Sequence, residues 1–225
     1  MATVTSKQKS PPRIPLPDQA YALLLGKIIR LDLTPGSILS EKDLINELGI
    51  GRTPIRESLQ RLANEGLVTH IPNRGMFVAE ISATSVRNIY EFRALIEGYT
   101  ARLAASRATP EDLFVLEQLH HELSDSTSEN RIDDYVGCDQ KFHNALALAS
   151  GNTYLQSAVS EIFNLHLRLW FFISRKSNNW QSSADAHEIM TAAVVDAIRN
   201  RSPDKAEEAI TSYITNRHQE INQLL

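Results

Sequence analysis

The stretch from Leu39 to Val78 constrains this chain more than any other. Its residue order calls for helix, tight turn, helix and β-hairpin. Ser40 can cap a first helix, with Asp43 three residues on completing a capping box. Leu44, Ile45 and Leu48 give that helix an apolar face. Gly49-Ile50-Gly51 breaks it, because glycine enters the left-handed region without steric cost. Arg52-Thr53-Pro54 restarts a helix with the proline in the first turn, where no amide partner is lost. Ile55, Ser58, Leu59 and Leu62 then share one face, while Thr53, Arg56 and Gln60 share the opposite one and Arg52 sits at the tip. Residues 66–71 read as a strand, 72–75 as a turn and 76–78 as the return strand, which puts Arg74 at a hairpin tip.

The second helix carries the functional signal. A structural surface helix would show mixed charge on its outer face, but this one offers Arg52, Thr53 and Arg56 at its exposed start. A recognition helix sets its N-terminal residues against base edges in the major groove. Arginine binds guanine through two hydrogen bonds, and a helix N-terminus attracts phosphate. A hairpin-tip arginine suits a minor groove or a phosphate. The plainer alternative is a packed helical hairpin with no role in DNA binding. The full ordered run favours a winged helix-turn-helix.

The run LSEKDLINELGIGRTPIRESLQRLANEGLV, followed by PNRGMFV, closely resembles the DNA-binding domain of GntR-family transcriptional regulators. The resemblance implies that Arg52, Thr53 and Arg56 contact bases and phosphates. It implies a phosphate contact for Lys42 on the preceding helix and a wing tip at Arg74 and Gly75. Gln60 joins the expected DNA-binding set from its place on the outer face.

Length and charge set the outer bounds. The 225 residues suit one large or two small domains with buried cores. The longest apolar run, Leu165 to Ile173, is too short for a membrane span and holds His166 and Arg168. The N-terminus lacks a signal-peptide apolar core, so a cytoplasmic location with no membrane partner is expected. The single Cys138 excludes an internal disulfide framework and a cysteine-rich zinc site, and reads as a small buried side chain. Met1 to Glu80 carries ten Lys+Arg against eight Asp+Glu, net +2, and the remainder carries 13 against 19, net −6. DNA affinity must therefore come from local placement of basic side chains, doubled in a dimer.

The expected organisation follows. Residues 1–15, rich in Ser, Lys and Pro, read as a flexible tail whose Lys7, Lys9 and Arg13 either add phosphate contacts or stay solvated. Residues 16–79 form the winged helix-turn-helix, opened by an amphipathic helix over Ala20–Leu31 with Leu23, Leu24, Ile28 and Ile29 inward. Residues 80–83 are a linker. Residues 84–225 are a helical effector-binding and dimerisation domain. Its helices are expected over Val86–Arg107, Leu113–Ser124, Ile132–Ser150, Asn152–Ser174, Asp185–Asn200 and from Ser202 onward, with a polar loop at Asp125–Asn130. Ile89, Leu95, Ile96, Tyr99 and Leu103 are expected inside. The fold class is mainly α: a winged helix-turn-helix followed by an all-α six-helix bundle.

Chemistry in the second domain starts from Asp139 and His143, four apart on one helical face beside the stripe of Tyr135, Phe142, Leu146 and Ala149. An acid and an imidazole turned toward a bundle interior need partners. They are either metal ligands or a buried hydrogen-bonded pair. YEFRALIEGYTARLAA together with DQKFHNALALASGN resembles the helical FCD-type effector domain of the FadR-like branch of the GntR family, and six helices look like its VanR-type subgroup. The resemblance implies a divalent metal held by one Asp and three His, with a small carboxylate ligand. Asp139 and His143 match the first two ligands, while Thr191 and Tyr213 stand where the later histidines belong. His187, one turn before Thr191, fits the same stripe; His218 points to its edge and His166 is a weaker candidate. Two arrangements stay open: a reduced zinc, nickel or manganese site of Asp139, His143 and His187, or a metal-free pocket. The expected effector contacts are Arg93, Asp139, His143, Thr191 and Tyr213. Arg93 either lines the pocket or pairs with Glu97. Trp170, Phe171 and Phe172 read as core or dimer contact, Arg168 and Arg175 as solvated surface, and His120 and His121 carry no assignment.

The reading is a ligand-responsive transcription factor and not an enzyme. It would be a repressor, binding a palindromic double-stranded DNA operator as a homodimer and released or modulated by a small organic acid. Two alternatives are a metal-assisted hydrolase using Asp139 and His143, and a DNA-binding protein without an effector. No nucleophile–base constellation and no glycine-rich phosphate loop supports the hydrolase.

Overall fold

The structure is a computed structural model that describes residues 14–177 and 180–225. The described residues divide into two compact units, one from residues up to Ile28 with Gly36–Ala79, the other from Ile29–Pro35 with Glu80–Leu225. The proposed tail, with Lys7, Lys9 and Arg13, lies largely outside the described residues.

The first unit holds α1 (Leu16–Ile29), α2 (Glu41–Leu48), α3 (Arg52–Asn64) and the antiparallel pair β1 (Val68–Ile71) and β2 (Gly75–Val78). Local chemistry fixes its corners. Ser40 Oγ accepts the Asp43 amide at the start of α2, and Gly49 ends it at φ +65°. Ile55, Ser58, Leu59 and Leu62 are all buried, and the Ser58 hydroxyl donates to the Pro54 and Pro17 carbonyls, tying α3 to the start of α1. The hairpin turns through Pro72 and Asn73, with Asn73 at φ +60° and the Arg74 amide donating to the Ile71 carbonyl at 3.0 Å. That is a type II turn with proline at its second position. A third stretch, unforeseen in the sequence, lies along β2: Leu39 and Val78 donate their amides to Met76 and Ser37 carbonyls, and Ile38 bridges Phe77.

Helix α1 starts at Leu16, four residues before the expected point, and the spacing Ala20, Leu24, Ile28 is what it buries completely. Leu23 falls off that row and is half exposed, contrary to expectation.

The regular elements described in the second unit are helices: α4 (Ala83–Arg107), α5 (Pro110–Ser128), α6 (Ile132–Ala149), α7 (Thr153–Ser177), α8 (Trp180–Arg199) and α9 (Pro203–Leu224). The mainly α class and the six-helix bundle agree with the sequence reading. Ser82 caps α4 and Thr109 caps α5, each in a reciprocal capping box, and Asn152 Oδ1 accepts the Tyr154 and Leu155 amides ahead of α7. The expected loop at Asp125–Asn130 is helix as far as Ser128. Ser126 and Thr127 are buried there and donate their hydroxyls to the Glu122 and Leu123 carbonyls, so their polarity is satisfied inside the helix. Helices α4 and α9 approach closely at Gly98, where a Cβ would lie 2.7 Å from Thr211 Cγ2. Leu95 and Tyr99, expected inside, are 71% and 48% exposed, because α4 carries two apolar faces and packs only one. Arg168, expected at the surface, is buried; burial lowers its pKa to about 10 against the opposing charge of Glu80. Arg175 is exposed and paired with Asp32.

Candidate functional site

Two sites emerge, one in each unit. In the first, Arg52, Thr53, Arg56 and Gln60 are all exposed on α3, Lys42 is exposed on α2, and Arg74 and Gly75 are exposed at the hairpin tip. Thr53, Arg56 and Gln60 share a cleft of about 410 Å³ with His70, Gly75 and Met76 of the hairpin. The sequence reading missed Glu41 at the start of α2. Its carboxylate lies 3.3 Å from Arg56 Nε and 4.0 Å from Arg52 Nε. No local spacing announces that contact, since it joins two helices.

In the second unit, Asp139 and His143 on α6 meet His187 on α8. His143 Nε2 is 3.3 Å and His187 Nε2 is 3.2 Å from the same oxygen, Asp139 Oδ1. All three residues are buried, and none of these atoms makes a hydrogen bond. Burying three unpartnered polar atoms face to face is costly unless something satisfies them together. Tetrahedral N and O ligands about 2.1 Å from a zinc ion stand roughly 3.4 Å from one another, close to the spacing found. The donor set and its geometry therefore fit a divalent metal, with the donor atoms all within 4.8 Å of one another.

A second layer backs these donors. Glu97 Oε2 lies 3.6 Å from His143 Nδ1, the placement of a carboxylate behind a metal-bound imidazole. Arg93 holds Glu97 by two hydrogen bonds, Nε to Oε1 at 2.5 Å and Nη2 to Oε2 at 3.1 Å, and both residues are buried. Arg93 Nη1 has no partner. Glu97 was foreseen only as Arg93's partner, four residues on. His166 of α7 stands beside the cluster, its ring 6.0 Å from that of His143.

The electrostatics are mutual. Burial opposes the charge on Asp139, yet His187, His143 and His166 together hold its carboxyl well below the usual carboxylate range. Burial also opposes protonation of His143, but the Asp139 carboxylate beside it and Glu97 raise its pKa. Burial pushes His187 down to about 4 and His166 well below its ordinary value.

The remaining expected residues separate. Tyr213 is buried on α9 with its ring 5.5 Å from that of His187 and its hydroxyl unpartnered. Thr191 is buried on α8, but His120 Nδ1 lies 2.9 Å from its hydroxyl, which also donates to the Glu188 carbonyl. The hydroxyl is thus committed toward α5. His218 stacks on Tyr90 instead of joining the cluster.

Known proteins show where this combination recurs. Residues 16–78 match the description "Bacterial regulatory proteins, gntR family", and residues 88–216 match "FCD domain". The chain is 30% identical over 184 residues to the HTH-type transcriptional repressor GlaR of Escherichia coli K12, covering 78% of this chain and 83% of that one. It is 36% identical over 135 residues to the HTH-type transcriptional repressor RspR of the same organism, covering 60% of this chain and 59% of RspR. The solved structure of E. coli McbR/YncC superimposes with a TM-score of 0.74 over 95% of this chain and 100% of that one, at 20% identity, a likeness of fold. Two family models that together span residues 16–216, and a relative 30% identical over most of both chains, settle the assignment: this chain belongs to the GntR family of transcriptional regulators and carries an FCD effector-binding domain.

Proposed function

We propose that the chain is a repressor that binds a palindromic operator as a homodimer and leaves it when a small organic acid occupies the second unit. The observation that supports this most is the convergence of Asp139, His143 and His187 at 3.2–3.3 Å with their facing atoms unpartnered. These three residues would hold a divalent metal; zinc, nickel and manganese all accept such a donor set. When bound, the ion supplies a Lewis-acidic position for a carboxylate oxygen. Glu97 orients the His143 ring, and Arg93 neutralises Glu97 while offering Nη1 to the acid. Tyr213 lines the same centre; the Thr191 hydroxyl is engaged with His120 of α5 and the Glu188 carbonyl.

The operator contacts proposed are Arg52, Thr53, Arg56 and Gln60 to bases and nearby phosphates, Lys42 to a phosphate, and Arg74 with Gly75 as the wing tip. For the homodimer, α4 supplies an apolar face that the described residues leave about half or more open: Phe92, Leu95 and Tyr99 are 45%, 71% and 48% exposed. The repressor sign is supported by GlaR and RspR, both named repressors. A regulator of transcription works beside the chromosome, so the proposed location is the cytoplasm; no described helix is long and apolar enough to cross a membrane. The acid must bind the DNA-free arrangement more tightly to act at all.

Fluorescence anisotropy with the DNA upstream of the chain's own gene tests the reading. Arg52→Ala and Arg56→Ala should each lose about 1–3 kcal/mol of operator affinity, roughly 5- to 150-fold, with unchanged circular dichroism. Wild-type affinity in both variants would remove the recognition-helix assignment.

A further inference from the structure

A groove of about 320 Å³ runs between α8 and α9, lined by Ile189, Met190, Ala193, Ala209 and Tyr213, with Arg217 as its cation. Its walls are mainly apolar, with Ser212 and Asn216 beside Arg217 as the polar part of the lining. Ile189 is 73% exposed there, and the small side chains of Ala193 on α8 and Ala209 on α9 both line it.

Tyr213 belongs both to this groove and to the buried centre. Its ring lines the groove and lies 5.5 Å from the ring of His187. Its hydroxyl is buried without a hydrogen-bond partner. One side chain therefore separates a polar, cation-bearing interior from an apolar exterior. On the inner side, Arg93 Nη1 is also buried without a partner. A ligand that satisfied both sides would carry a carboxylate at one end and an apolar body at the other.

We propose that this groove is a ligand subsite for the apolar body of an amphipathic monocarboxylic acid whose carboxylate reaches the Asp139–His143–His187 centre past Tyr213. The subsite rests on the effector reading of that centre. The groove's volume falls at the lower end of the range for small-molecule pockets, roughly 300–1,000 Å³. A carboxylate alone would leave it empty, and an aliphatic chain or a single ring would fill it. The Tyr213 hydroxyl becomes the donor to the acid at the point where head and body join.

The test is calorimetry on the full-length protein as purified, with acetate, butyrate, hexanoate and octanoate. Affinity should rise about fourfold per methylene until the groove is full. Ala193→Phe places a ring in the groove at an exposed position and should cut hexanoate affinity at least tenfold while leaving acetate unchanged, with an unaltered thermal melt. A flat series, in a protein whose acetate binding is lost in His143→Ala, overturns the subsite and leaves the centre standing. Failure of every acid to bind wild type overturns both. A chain-length gain that survives in His143→Ala overturns the link between groove and centre. If Ala193→Phe instead shifts the sedimentation coefficient of the ligand-free protein, the groove is an interface with a second copy and the proposal falls.

Discussion

Arg93→Met tests the buried layer behind the cluster most directly. The substitution keeps an unbranched side chain of similar reach but removes both hydrogen bonds to Glu97, at 2.5 and 3.1 Å. Glu97 is 4% exposed, so water cannot replace the guanidinium. Breaking a buried ion pair from one side costs about 3–5 kcal/mol, because the remaining charge stays buried and unpaired. His143 Nδ1, 3.6 Å from Glu97, offers partial relief if the ring takes up a proton, so the lower end, about 3 kcal/mol, is the expected loss. Both tryptophans of the chain, Trp170 and Trp180, lie in the second unit, so tryptophan fluorescence in a urea titration follows that unit alone. With a urea slope of about 1–3 kcal/mol/M, the midpoint should fall by roughly 1–3 M. The double variant Arg93→Met/Glu97→Leu removes both charges and should return to within about 1 kcal/mol of wild type. If the single variant loses less than about 1 kcal/mol, or the double variant loses the sum of the two singles, the pair is solvated and the picture of a dry polar centre is wrong.

Two further outcomes follow from the structure. Gly98→Ala should destabilise the second unit even though alanine favours a helix by about 1 kcal/mol, because the new methyl meets Thr211 Cγ2 at 2.7 Å; in a Thr211→Ser background, which lacks that methyl, the same change should become neutral or stabilising in urea melts. Zinc affinity should weaken on acidification: metal requires unprotonated imidazole, the proton of His143 competes at higher pH than that of an ordinary imidazole because the Asp139 carboxylate raises its pKa, and His187, held at about 4, competes only in stronger acid. Calorimetry in buffers of different ionisation enthalpy should then show proton release on zinc binding that grows as the pH is lowered, and a pH-independent affinity would count against His143 as a ligand.

The first unit was legible because its corners are set by single residues with local effects. Ser40, Gly49 and the Pro72–Asn73 turn each act within four residues, and the row Ile55, Ser58, Leu59, Leu62 is a helical stripe. The Ile38–Phe77 bridge was not legible, since it depends on a chain path that no spacing encodes. In the second unit, Asp139 and His143 could be paired by their four-residue spacing. Spacing did not separate His187 from Thr191, because both lie on one stripe of α8; their contacts differ only in the folded unit, where His187 Nε2 lies 3.2 Å from Asp139 and His120 of α5 engages Thr191. Leu95 and Tyr99 misled for a related reason. A helical wheel finds apolar residues but not whether a neighbouring helix covers them. Ser126 and Thr127 misled by composition, since their hydroxyls are satisfied within the helix that carries them.

With α3 as the proposed recognition helix, the carboxylate of Glu41 between Arg52 and Arg56 would change what DNA binding costs and how salt acts on it. Two arginines and one glutamate bring a net charge of one to the groove, so this trio should count as about one neutralised phosphate in the salt dependence of binding, where the arginines alone would count as two. Each arginine must leave an existing partner before it takes a new one. A bare phosphate replaces one anion with another and gains little by the exchange. A guanine edge offers two acceptors in the plane of the guanidinium and gains more. The glutamate would thereby tilt the proposed recognition helix away from DNA in general and toward a sequence in particular, by making non-specific attraction weaker without removing a proposed base contact.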